Sequence, residues 1–290
     1  MKRYYYNNKD YFIDRVNKKI LINPELHKKL LNKECVFPNT NFKYGYKKIG
    51  GSSLGDILKS TAFSSPFKAF CNYAYLAPKP LIKKYINAGI AIEPKVIDII
   101  DKVLNKNKQG DEPRYDVRGI SAQDYNYNYF KDYDELINGV PDGLLYYKDE
   151  TILLEIKTAS EEKYASWING VPENYKKQAQ LYSYILGIKK YWIVTTFLKE
   201  EDYKEPENYP IEQRRLKNFA FEVNQEEAKD DLEYAKNWYK EFIEKGESPS
   251  YNVTRDGELL EYLECENEKQ WAALIEKWKK LGKCDPDFEG

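Results

Sequence analysis

The stretch 139–160, GVPDGLLYYKDETILLEIKTAS, constrains the rest of the chain more than any other. It reads as two short strands around a polar turn: 140–147, then Lys148-Asp149, then 150–157. The run TILLEIK is β-branched and aliphatic enough for a strand with a mostly buried centre. Strand side chains alternate between faces, so Glu155 and Lys157 point one way and Ile152, Leu154 and Ile156 the other. With a two-residue turn, Asp142 lies opposite Glu155. Two carboxylates and an ammonium then converge on one surface, which suits a divalent metal ion. Alone, the pattern has a second explanation: Asp142 as a turn former before Gly143, and Glu155 with Lys157 as a solvated strand edge.

At 290 residues the chain has room for two domains, or for one α/β domain with additions. Its 46 basic and 47 acidic residues nearly cancel, so no global basicity points to nucleic acid, although a local basic groove is compatible with neutrality. Mean hydropathy is −0.77, and no apolar run approaches the roughly 20 residues of a membrane span. The start, MKRYYYNNKDYF, lacks the apolar core of a signal peptide, so a cytoplasmic protein without a membrane partner is expected. Cys35, Cys71, Cys265 and Cys284 are scattered with no CxxC pair, which favours isolated thiols over an iron–sulfur cluster. With His27 as the single histidine, acid–base or metal chemistry falls to carboxylates, lysines and tyrosines.

Three segments are expected in order: an N-terminal appendage over 1–46, a main domain over 47–246 and a C-terminal helical extension over 247–290. In the appendage only 25–31 has a helical pattern. IGGSSLGDIL at 49–58 places Ser52 and Ser53 at a helix start, either as a plain cap or as a phosphate contact. The segment 87–104 is an amphipathic helix, with Ile92, Val96, Ile99 and Val103 as a stripe that Ile97, Ile100 and Leu104 widen. Glu93 borders that stripe, and Pro94 fits a first turn or a kink. Residues 115–130 look extended, the YNYNY run alternating like a half-buried strand, and 158–175 look like a loop. Helix 175–187 closes at Gly187 and puts Gln178 and Tyr182 on one face. A buried strand (191–198), another strand (217–223) and a helix opening behind Asn224 follow. The last helix carries Trp271, Leu274, Trp278 and Leu281 as a packing stripe.

Four of these motifs in this order resemble the PD-(D/E)XK nuclease superfamily, in the branch with a RecB-like QxxxY motif. The likeness is closer still to the lambda-type phage exonuclease, or YqaJ-like viral recombinase, family. IGGSSLGDIL resembles its serine motif, AGIAIEPKV its G-x-x-x-E helix, VPDGLL with LLEIKTA its metal site, and YKKQAQLYSYILG its glutamine helix. The resemblance runs from about residue 49 to 223 and implies an α/β restriction-endonuclease-like fold, a central mixed sheet flanked by helices. It implies Glu93, Asp142, Glu155 and the Ile156 carbonyl as ligands of Mg²⁺, with Mn²⁺ as a substitute. Lys157 would position or activate the attacking water, and Gln178 would steady the site. Ser52, Ser53, Arg114, Arg118, Lys176 and Tyr182 are the candidate contacts to DNA. The implied function is a 5′–3′ exonuclease on linear double-stranded DNA ends in recombination or repair, with a single-strand annealing protein as partner and a homotrimeric ring. A structure-specific or restriction-type endonuclease, an RNA nuclease and a non-catalytic DNA-binding protein are the alternatives.

Overall fold

A computed structural model of the chain describes residues 3–290. The chain divides into two compact units, and neither is a simple run of sequence. One comprises Met1–Ile49, Asp56–Ile82 and Glu233–Gly290; the other comprises Gly50–Gly55 and Lys83–Leu232.

In the first unit the two ends of the chain pack together, where the sequence suggested an appendage and a separate tail. The hairpin Tyr11–Asp14/Lys19–Ile22 buries Tyr11 and Ile20. Ser248 closes it from the far end of the sequence: its N–H donates to the Ile20 carbonyl at 2.9 Å and its hydroxyl accepts the Ile20 N–H at 2.8 Å. Arg3 is buried, donates to the Tyr262 carbonyl at 2.7 Å and lies 3.9 Å from the Tyr262 ring centroid. The helix Glu268–Lys280 buries Trp271, Leu274 and Trp278, whereas Leu281, just past its end, is 58% exposed. All four cysteines are free and buried.

The second unit holds the expected central mixed sheet flanked by helices. Its five strands lie in the order Leu216–Glu222, Lys190–Leu198, Glu150–Ser160, Gly143–Tyr147 and Asp116–Gly119. Glu150–Ser160 and Lys190–Leu198 run parallel, and the other neighbours are antiparallel. A parallel pair needs a crossover, which contains the helix Glu173–Ile185 and ends at Gly187 with φ +68°. On one face of the sheet, Ile152, Leu154 and Ile156 pack with Ala88, Ile92, Val96, Ile97 and Ile100 of the helix Lys84–Asn105. The buried line therefore recurs every four residues from 88 to 100, and Val103 falls outside it at 65% exposure. Pro94 sits well inside the helix rather than in its first turn.

The hairpin has the predicted register: Tyr147 pairs with Glu150 across Lys148-Asp149, and Lys148 takes φ +52°. The tyrosine–asparagine run is not a strand. Pairing stops at Gly119, a 3-10 turn covers Ala122–Tyr125, and Asn126 and Tyr127 adopt φ of +50° and +60°. Two successive left-handed residues reverse the chain, which no pleat accommodates, and alternation alone cannot reveal this. Residues 158–175 are likewise more ordered than a loop. The strand continues to Ser160, then a 3-10 turn (Glu161–Lys163) and a short helix (Tyr164–Trp167) follow.

Tyr182 explains two glycines in this unit. A Cβ on Gly51 would come within 2.6 Å of the Tyr182 ring, and one on Gly139 would collide with its hydroxyl. Gly139 also has φ +153°, which L side chains avoid. Gly139→Ala is expected to destabilise the protein by about 2 kcal/mol or more, seen as a fall of several degrees in Tm. The loss should be smaller in a Tyr182→Ala background; additive losses would show that the two sites do not collide.

Candidate active site

The hairpin register sets Asp142 beside Glu155, one position beyond the Gly143–Leu154 pair. Asp142 is held at both ends. Its carbonyl accepts the Ile120 N–H at 3.0 Å, and its Oδ2 accepts the Ile156 N–H at 2.6 Å. Glu155 is fully buried. Its Oε1 accepts the Lys157 ammonium and, at 2.7 Å, the Gln178 Nε2. Its Oε2 is buried and, among the described residues, has no hydrogen-bond partner. Glu93, half-buried on the helix Lys84–Asn105, is close enough to feel the charges of Asp142 and Lys157. Hairpin, Glu93 helix and Gln178 helix therefore meet at one place.

Electrostatics here are dominated by crowding of carboxylates away from water. Burial, then the charge of Asp142, pushes Glu155 up to about 8. The same two causes push Glu93 up to about 7. Burial also raises Asp142, although Lys157 and the Ile156 N–H oppose it. For Lys157, burial pulls its pKa down, but Glu155 and Asp142 outweigh this and hold it above its ordinary value. Lys157 is thus a firmly protonated counter-charge to the carboxylates.

These residues suit a hard divalent cation by the chemistry of their donors: carboxylate oxygens, one of them buried and unpartnered. Among the described residues no three His, Cys, Asp or Glu side chains already form a ligating group. Instead, the Lys157 ammonium neutralises Glu155 and a backbone N–H engages Asp142.

The other candidates divide sharply. Ser52 is exposed, while Ser53 is buried in the helix Gly51–Ile57 and faces away from a solvent-borne phosphate. Arg114 is exposed in the loop before the outer strand. Arg118 is exposed but paired with Asp116 at 2.5 Å, and Lys176 is paired with Glu173 at 2.9 Å. Tyr182 is 3% exposed and packs on Phe130 with centroids 4.7 Å apart. Tyr182, a candidate contact to DNA, is thus a packed side chain against Phe130, Gly51 and Gly139.

One neighbour was missed in the sequence. Tyr175, one helical turn before Gln178, sets its ring 5.1 Å from the Lys157 ammonium. Its i−3 spacing from Gln178 was the available signal, since a residue one turn away shares the face that meets the strand.

No family model matches the chain. It is 25% identical over 244 residues to the uncharacterized protein MG373 of Mycoplasma genitalium, a match spanning 70% of this chain and 83% of that one. It is 23% identical over 274 residues to the MG373 homolog of Mycoplasma pneumoniae, also described as uncharacterized, across 80% of this chain and 94% of that one. Among solved structures, an alkaline exonuclease (LHK-Exo) from Laribacter hongkongensis superposes with a TM-score of 0.43 at 14% identity, covering 81% of this chain and 94% of that one. A phage related exonuclease from Haemophilus somnus superposes with a TM-score of 0.43 at 16% identity, covering 68% and 96%.

Proposed function

We propose that this protein is a metal-dependent deoxyribonuclease that hydrolyses phosphodiester bonds, acting as an exonuclease on the ends of linear duplex DNA. The observation that supports this is that Glu93, Asp142 and Lys157 lie within electrostatic reach of Glu155, one of whose oxygens is buried and unpartnered among the described residues. A surface ion pair has no reason to gather three carboxylates where burial raises them all, whereas a divalent cation resolves exactly that conflict of charge.

Glu93, Asp142, Glu155 and the Ile156 carbonyl would hold Mg²⁺, or Mn²⁺ in its place. The ion supplies a Lewis acid for the scissile phosphate and a more acidic bound water. The protein's own groups do the rest. Asp142 is aimed by the Ile156 N–H, and Glu155 by the Gln178 amide, so neither carboxylate reorganises during reaction. Lys157, protonated beside Glu155, places positive charge where the phosphoryl oxygens gain negative charge and orients the attacking water. Water oxygen bonds to phosphorus and gives up a proton to solvent, as the phosphorus–oxygen bond to the leaving strand breaks and the leaving oxygen takes up a proton. A 5′–3′ polarity, a ring-shaped trimer and an annealing-protein partner belong to the same proposal through the resemblance of the motifs.

The test is digestion of linear and covalently closed circular duplex DNA with Mg²⁺ or with EDTA. Mg²⁺-dependent loss of the linear form alone is expected. Cleavage of closed circles would assign an endonuclease on the same fold, faster digestion of RNA would assign an RNA nuclease, and no cleavage of any would leave a DNA-binding protein.

A further inference from the structure

We propose that Lys163 and Arg215 bind the phosphate backbone of a DNA strand on the sheet face that carries Glu155 and Lys157. The proposal rests on the nuclease function above and names the strand contact that the paired Arg118 and Lys176 cannot readily supply. Sheet register places Arg215 there. Lys157 pairs with Thr195, and Ala159, two residues on and on the same face, pairs with Phe197. The Phe197 N–H donates to the Arg215 carbonyl at 3.0 Å, continuing the pairing with the outer strand by one residue. Two strand spacings across and two residues along put the Arg215 backbone roughly 12 Å from that of Lys157.

Rings link these cations. Tyr175, below Lys157, is 5.7 Å from Trp167; Trp167 is 6.1 Å from Phe197; Phe197 is 5.0 Å from Tyr164. Trp167 carries Lys163 at 5.9 Å, and Tyr164 carries Arg215 at 4.5 Å. Lys163 and Arg215 are exposed, and among the described residues neither has a carboxylate in ion-pair range, although Glu161 and Glu162 share the turn of Lys163. This distinction decides their use. A carboxylate partner cancels a cation, as at Arg118 and Lys176, whereas an aromatic face orients it and leaves its charge available to a phosphate. Cations spaced along a run of rings beginning at the hydrolytic lysine match a chain of phosphates better than one small anion.

The experiment measures binding of labelled single-stranded and duplex DNA by fluorescence anisotropy in EDTA, across a salt series. The double variant Lys163→Gln/Arg215→Gln is expected to raise Kd about tenfold and to flatten the dependence of log Kd on log salt by about 1.4 to 1.8. Arg215→Lys should retain most of the affinity, and Lys229→Gln, which removes one charge from an exposed helix position, should change neither quantity. An unchanged Kd and slope in the double variant, an equal loss with Lys229→Gln, or tighter binding of RNA than DNA overturns the proposal. The two proposals fail separately. Wild type that digests DNA with binding indifferent to these cations keeps the nuclease and loses the track; wild type that binds through them without cleaving DNA does the reverse.

Discussion

Asp142→Asn is expected to abolish Mg²⁺-dependent hydrolysis of linear duplex DNA, by about 10³-fold or more, while leaving the fold intact. The substitution is nearly isosteric, and an amide oxygen can still accept the Ile156 N–H that aims the native side chain. What is lost is the negative charge that would bind a cation. Several kcal/mol of transition-state stabilisation depend on such an ion, and each 1.36 kcal/mol is tenfold in rate. Removing that charge also relieves repulsion, since Asp142 raises both Glu93 and Glu155. Without metal at pH 8, Tm should therefore hold or rise. Activity near wild type, measured as acid-soluble nucleotide release, would remove Asp142 from the chemistry; collapse of Tm would show that its charge is structural.

Lys157→Met should give the opposite balance, with a large stability loss whose size depends on pH. Glu155 stands at about 8 and Glu93 at about 7, against ordinary values of 4.5. The folded protein therefore holds protons that the unfolded chain releases between about pH 4.5 and 8, and metal-free stability falls as pH rises through that window. Lys157 moderates the fall by lowering both carboxylates. Without it both carboxylates are pushed higher still, so at pH 8.5 the folded variant must hold protons that the unfolded chain releases, an added cost of about 2 kcal/mol. Tm of the variant in EDTA should lie close to wild type at pH 5.5 and roughly 5 °C below it at pH 8.5. Millimolar Mg²⁺ should recover much of the difference at pH 8.5, because a cation that binds the folded state alone stabilises it. A Tm difference independent of pH and metal would mean that these carboxylates do not share a cation-binding site.

The hairpin was legible because its information is local. Two residues of turn between alternating strands set Asp142 against Glu155, and that register follows from the chain within some twenty residues. Glu93 and Gln178 were singled out by the resemblance of their helices to the family's motifs; periodicity alone put Glu93 on the border of a buried stripe and Gln178 on a face with Tyr182. Local pattern misled where its signal was weakest. Alternation at 125–129 suggested a strand, yet the left-handed Asn126 and Tyr127 turn the chain there. Ser53 and Tyr182 were placed on correct helices and named as candidate contacts to DNA, and both are buried. Nothing near Tyr182 in sequence announces that Gly51 and Gly139, brought in from elsewhere, leave the space its ring fills.

By itself, the sequence determined the order of elements, the hairpin register and the convergence of Asp142, Glu155 and Lys157; the sheet-and-helix class and the addition of Glu93 and Gln178 came through the resemblance of its motifs. Side-chain alternation and helical periodicity act over one or two turns, so residue order alone reveals them. Tertiary structure decided which charges stay available. Arg118 and Lys176 are paired with near neighbours, while Lys163 and Arg215 lie on rings and, among the described residues, have no carboxylate partner. It also decided that both ends of the chain share one compact unit and that one oxygen of Glu155 is buried without a partner. The ion pairs of Arg118 and Lys176 and the contact of Lys163 with Trp167 are local, but the Arg215–Tyr164 contact, the shared unit and the buried oxygen depend on residues distant in sequence, and short-range pattern carries no record of them.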